Sequence, residues 1–275
     1  MTSYETIELA RDGSVGWLRL DRPTKLNSFT IEMWEELRAL GLELRDDPEL
    51  RALVVIGNGR AFSSGIDTSV FTANTGGGSP LRDDGDGPRH DDPTVAAILR
   101  TQQAYSWLAD ARFPTIAAVR GYALGAGLQL ALACDIRVMA RGTVVGLLEH
   151  KYGIMPDLGG TQRLPRVVGA GKAKELIWTA ARIDADEAFR IGLCERLVDD
   201  DALEPEVAGL AAALAAQPPL AVQGAKRAVA AGGSLPVEAG LVVEAEAQAV
   251  CLRSDDMREA ITAFVEQRDP RYTGK

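Results

Sequence analysis

Apolar residues are spaced in two ways along this chain. Up to about residue 170, short apolar runs alternate with amphipathic stretches, the mark of strands interleaved with helices. Residues 6–9 and 15–20 read as strands with a turn at Arg11-Asp12-Gly13 between them. Thr30 stands where a cap is needed for a helix to about residue 44, with Met33, Trp34, Leu37, Leu40 and Leu44 on one face. The run at 53–56 predicts a buried strand, and a helix over 95–111, a strand over 115–119, a helix over 124–133 and a strand over 136–139 follow. Between them, residues 74–92 are rich in Gly, Asp and Pro without periodicity, which predicts a mobile surface loop. Beyond residue 170 alanine-rich helical spacing dominates, at 172–180, 185–191, 204–216, 220–231, 236–252 and 255–267, with one candidate strand at 194–198. The division expected is a mixed α/β core over 1–200 and a helical region over 201–275.

The chain has 275 residues, 46% of them hydrophobic, enough for a sizeable core. Its formal net charge of -9 argues against nucleic acid or an anionic membrane as partner, so any anionic ligand must be held by local basic groups. No apolar run approaches bilayer length, and the first residues lack the basic and apolar regions of a signal peptide. Cys134, Cys194 and Cys251 are scattered and odd in number, which fits free thiols in a reducing cytoplasm.

Several kinds of chemistry lack their residues. Gly169-Ala170-Gly171-Lys172 is without the leading Gly and the Ser/Thr of a phosphate loop, and Gly125-Ala126-Gly127 has no third Gly at dinucleotide spacing. His90 and His150 are not at metal-ligand spacing, so no metal is expected. Three glycine-punctuated segments remain: residues 59–67 directly after a strand, 121–127 directly before a helix, and Glu149 through Met155-Pro156-Asp157-Leu158-Gly159-Gly160-Thr161. Small residues at strand-to-helix junctions either serve tight turns or leave amide N–H groups free to converge on one oxygen, and spacing alone leaves both open.

Leu20-Asp21-Arg22-Pro23 with Asn27, Arg60-Ala61-Phe62-Ser63-Ser64-Gly65-Ile66-Asp67, Gly121-Tyr122-Ala123-Leu124-Gly125-Ala126-Gly127 and Pro156-Asp157-Leu158-Gly159-Gly160-Thr161-Gln162-Arg163-Leu164 resemble, in order, the signatures of the enoyl-CoA hydratase/isomerase (crotonase) superfamily. The resemblance runs from about residue 5 to Arg268-x-Pro270. It implies an α/β spiral of ββα turns, with the C-terminal helices building a trimer or a dimer of trimers. It implies an acyl-CoA thioester as substrate, with CoA part of that substrate and no separate cofactor. The thioester oxygen would lie between the backbone N–H groups of Ile66 and Ala126. Arg22 and Lys25 would sit near the CoA phosphates, the backbone from Ala61 onward would bind adenine and pantetheine, and Ser64, Asp67, Thr68 and Gln129 would line the substrate site.

The carboxylates bear on the reaction. The resemblance places the two glutamates of a hydratase at positions 129 and 149, and this chain has Gln129 and Glu149. A carboxamide holds water but does not exchange protons at useful pKa. Asp157 supplies a carboxyl eight residues beyond Glu149, as in relatives that isomerise dienoyl-CoA thioesters, although those carry an aspartate at 129. The expectation is double-bond isomerisation of an enoyl- or dienoyl-CoA with Glu149 and Asp157 as proton shuttle. The alternatives are hydration of a 2-enoyl-CoA by Glu149 with Gln129 positioning the water, or an acyl-CoA-binding oligomer of low activity.

Overall fold

The computed structural model describes residues 4–72 and 87–275. Nine strands, β1 (Ile7–Asp12), β2 (Val15–Leu20), β3 (Ala52–Gly57), β4 (Thr115–Val119), β5 (Tyr122–Leu124), β6 (Ile136–Ala140), β7 (Val144–Gly146), β8 (Ile183–Asp184) and β9 (Arg196–Val198), form two sheets among the described residues. The larger has the order β1-β2-β3-β4-β6-β9 and is parallel except for the β1–β2 hairpin. The smaller has the order β5-β7-β8. Single bridges from Ser63 to Ala123 and from Phe29 to Ile66 carry it on through the chain after β3. Each return of the chain thus adds to both layers.

The helices are α1 (Ile31–Leu44), α2 (Thr68–Thr72), α3 (Pro93–Asp110), α4 (Ala126–Ala133), α5 (Gly160–Val168), α6 (Ala170–Thr179), α7 (Ala185–Arg190), α8 (Leu203–Ala215), α9 (Pro219–Gly232), α10 (Val237–Cys251) and α11 (Asp255–Glu266). Thr30 caps α1 as expected, its hydroxyl accepting from the Met33 amide at 3.3 Å. Asp92 caps α3 through the Thr94 amide at 2.7 Å. The expected loop over 74–92 lies mostly outside the described residues.

The core has two parts, one on each face of the larger sheet. Alternate residues of β3 divide between them: Leu53 and Val55 join the side holding α1, α3 and α4, whereas Ala52, Val54 and Ile56 meet Leu203, Val207 and Ala211 of α8. A strand buried on both faces needs the unbroken apolar run that marks β3 in the sequence. The boundary expected near residue 200 falls just before α8, a helix that lies on the sheet.

Two expectations are corrected. Residue 124 ends β5 instead of opening a helix, because Leu124 N–H donates to the Ser63 carbonyl at 3.1 Å, so α4 starts two residues later. α5 was not foreseen, since Pro165 interrupts its pattern. In its first turns, where Pro165 sits, the proline removes a single helical hydrogen bond.

Candidate active site

The strand-to-helix junctions at 65–66 and 125–126 lie against each other. A Cβ on Gly65 would approach the Leu124 carbonyl oxygen to 2.9 Å and the Ala126 nitrogen to 4.0 Å. Gly65 has φ 101° and Gly125 φ 50°, in the region that side chains with a Cβ avoid. The neighbouring amides are used up: Ser64 N–H donates to the Leu26 carbonyl, Gly65 N–H to the Ser63 hydroxyl, Asp67 N–H to the Phe29 carbonyl and Gly125 N–H to the Gly146 carbonyl. Among the described residues, the N–H groups of Ile66 and Ala126 have no protein acceptor. Both residues line one cleft of about 100 Å³, together with Ser64, Thr68 and Glu149. Ala126 opens α4, so that helix's positive end faces the same space. Its position is braced from behind: Trp34 Nε1 donates to the Tyr105 hydroxyl at 3.2 Å, which donates to the Ala126 carbonyl at 3.1 Å.

Glu149 begins a short 3-10 turn just past β7 and is 5% exposed. Its Oε1 accepts from Gln129 Nε2 at 2.8 Å, and its Oε2 has no hydrogen-bond partner. Burial pushes the Glu149 pKa above the ordinary carboxylate value, with a smaller push from the Asp157 charge. Gln129 and a backbone amide oppose it.

Gln129 is 1% exposed, on the first turn of α4. Its Oε1 accepts from the amides of Leu158 at 2.8 Å and Gly160 at 2.9 Å. The carboxamide therefore fastens Glu149 to the start of α5 and has one Nε2 hydrogen left. A carboxamide meets this need for a donor on one side and an acceptor on the other, which an ionised carboxylate cannot.

Asp157 stands on the far side of that clamp. It is partly buried, burial raises its pKa, and its backbone carbonyl accepts from Gln102 Nε2 at 2.6 Å. It lines a separate, larger cavity of about 570 Å³, bounded by α3, α5 and the α9–α10 turn. The segment from Ile154 to Leu158 runs between the two spaces.

Other site expectations fall around the cleft. Asp67 is engaged within the chain: one oxygen accepts from the Ser69 amide and hydroxyl, the other from Arg22 Nη1 and the Ser28 hydroxyl, each at 3.0 Å. The Ser69 amide leads the contacts that hold the Asp67 carboxyl well below its usual range. Arg22 is thereby directed at Asp67, while Lys25 is exposed. Ala61 is buried, and its carbonyl accepts from Asn27 Nδ2 at 2.8 Å. Leu148, Tyr152 and Ile154 also line the cleft and went unremarked in the sequence. Their signal was Leu147-Leu148 directly before Glu149, and Tyr152 and Ile154 three and five residues after it.

A family model described as enoyl-CoA hydratase/isomerase matches residues 10–275. The chain is similar to a crotonyl-CoA hydratase of Syntrophomonas wolfei, 34% identical over 99% of this chain and 100% of that one. It is 33% identical to a peroxisomal Delta(3,5)-Delta(2,4)-dienoyl-CoA isomerase of Arabidopsis thaliana, over 99% and 98%. A Thermobifida fusca structure in complex with acetoacetyl-CoA superposes with a TM-score of 0.79 at 37% identity, over 90% of this chain and 94% of that one.

Proposed function

The chain belongs to the enoyl-CoA hydratase/isomerase family and is an enzyme acting on acyl-CoA, and from that premise we propose that its reaction is double-bond isomerisation of an enoyl- or dienoyl-CoA. The observation that carries this reading is the single unpartnered carboxylate oxygen in the cleft, Glu149 Oε2, beside two amides without acceptors. The thioester oxygen takes the N–H groups of Ile66 and Ala126. Glu149 removes a proton from C2 of a 3-enoyl chain, and the electron pair moves into the thioester as a dienolate. The amides stabilise that charge because they are already aimed when it forms. A proton returned at C4 leaves the double bond between C2 and C3, with no net gain or loss of atoms. A raised pKa suits Glu149 to both halves of the transfer.

Asp157 serves this reading as the second acid where the acyl chain extends past the Ile154–Leu158 segment into the cavity that Asp157 lines, delivering the proton further along a dienoyl chain. Its raised pKa supports that, and its place across the clamp from Glu149 fits a carboxyl meeting a more distant carbon. Lys25 and the backbone from Ala61 are the proposed contacts for CoA. Arg22 contributes by holding Asp67, and through it the segment after Ile66. CoA enters as part of the substrate, and the sequence of steps needs no other cofactor.

Hydration of a 2-enoyl-CoA is the second reading. It is favoured by the crotonyl-CoA hydratase relative and by the remaining Nε2 hydrogen of Gln129, which can hold a water beside Glu149. The test is turnover in deuterated water of a 3-enoyl-CoA and a 2-enoyl-CoA, with Glu149→Gln and Asp157→Asn alongside. Isomerisation moves the double bond and deposits deuterium on carbon without forming 3-hydroxyacyl-CoA. Glu149→Gln should lose about 10²–10⁴ in rate. Hydration that depends on Glu149 and tolerates Asp157→Asn would replace the isomerase reading.

A further inference from the structure

The cavity behind Asp157 has a chemistry of its own. At about 570 Å³ it is in the size range of small-molecule sites. Arg163 and Arg166, both on α5, line it. Neither guanidinium has a carboxylate within ion-pair distance among the described residues, unlike Arg22, Arg100 and Arg137. Arg163 is half-buried and spends its donors on neutral groups, the Leu158 carbonyl at 3.2 Å and the Ser106 hydroxyl at 3.4 Å. Arg166 donates to the Gln162 carbonyl. Desolvation lowers the Arg163 pKa from its ordinary value, with the neighbouring Arg166 charge adding to the shift and the Asp110 charge opposing it. Two guanidiniums against the one carboxyl of Asp157 leave the cavity net positive inside a protein of formal charge -9.

We propose that this cavity binds a small-molecule carboxylate, held by Arg163 and Arg166. The guanidinium fork matches a carboxylate with two parallel hydrogen bonds. Occupancy would reach the cleft by a short path. Arg163 holds the Leu158 carbonyl, the Leu158 amide is held by Gln129, and Gln129 holds Glu149. The carboxylate has two sources, the far end of an acyl chain or a free dicarboxylate. The first rests on the isomerase reading, whereas the binding itself does not.

Two measurements on the full-length chain test this. In thermal unfolding with glutarate at matched ionic strength, the wild type should show a saturable rise in Tm, and Arg166→Met should weaken the apparent affinity by about tenfold or more. Arg163→Met should do the same if it folds, and Arg166 alone keeps the test decisive because it touches no catalytic group. In turnover, 3-enoyl-CoA substrates of equal length ending in methyl or in carboxylate are compared. A preference for the carboxylate of about tenfold in kcat/KM, lost in Arg166→Met, identifies the acyl chain as the source. A glutarate shift without that preference identifies a free anion. An equal glutarate response in wild type and variants, or none, overturns the site, whatever reaction the cleft performs. So does loss of self-association in Arg166→Met without any glutarate effect, which would assign the guanidinium to a second copy of the chain.

Discussion

Glu149 is the residue on which the chemistry turns, and its cost to the fold is measurable. Its folded pKa lies above the ordinary carboxylate value of 4.5, chiefly through burial. Below the unfolded pKa both states are protonated and nothing is lost. As pH rises through the folded value, ionisation must occur in a desolvated place, and the folded state loses stability relative to the unfolded. Glu149→Gln should therefore melt at a higher temperature than the wild type at neutral pH, with the gap closing below about pH 4.5. Each kcal/mol recovered should raise Tm by about 2–4 °C in a chain of this size. Scanning calorimetry of the pair across pH checks this, and a gap independent of pH would mean that desolvation is not the cause. Gln129 explains why the carboxylate stays put: removing its amide would orphan the Leu158 and Gly160 N–H groups, each at a cost of about 1–3 kcal/mol.

Among the elements, α4 does most to make the cleft. It is eight residues long and buried along its whole length, and it carries both Ala126 at its first position and Gln129 one turn on. One backbone task and one side-chain task thus follow from one rigid piece. The first helical position has no intrahelical use for its N–H, so proline is tolerated there. Ala126→Pro is expected to keep α4 while deleting one of the two free amides. The rate should fall by about 10²–10³, with far-ultraviolet circular dichroism unchanged. Retention of activity would mean that Ala126 N–H is not aimed at the substrate. β3 was legible in the sequence because burial on both faces demands an unbroken apolar run, and α4 because its run is apolar apart from Gln129. α5 was not, because its helical pattern is broken by Pro165 and its packing is set by Gln129 and Gly160, residues distant in sequence.

The whole molecule ends in a surface that is too apolar for water. Val229, Val237, Leu241, Val242, Phe264 and Val265 are exposed on α9, α10 and α11, with Phe264 at 84%. Large apolar side chains exposed together on the C-terminal helices point to an association surface. The trimer or dimer of trimers that the family resemblance implies would cover them. Light scattering after size exclusion should give three or six times the 29.3 kDa chain, and Phe264→Glu should lower that mass. A monomer in the wild type would refute the assembly. No helix among the described residues is long and apolar enough to cross a membrane.

Local pattern by itself determined the alternation of strands and helices, the helical C-terminal third and the glycine-marked junctions, because hydrophobic period and backbone freedom are properties of neighbours in the chain. Resemblance added the family and the segments where its chemistry lies. Tertiary structure decided what each polar group does. Asp67 and Arg22 answer each other at the rim of the cleft. Gln129 spans from α4 to α5 and selects one oxygen of Glu149 to remain free. Asp157 falls in a second cavity beside two arginines. A side chain's partner is whatever packing brings within about 3 Å of it, and that distance is not written in the order of residues.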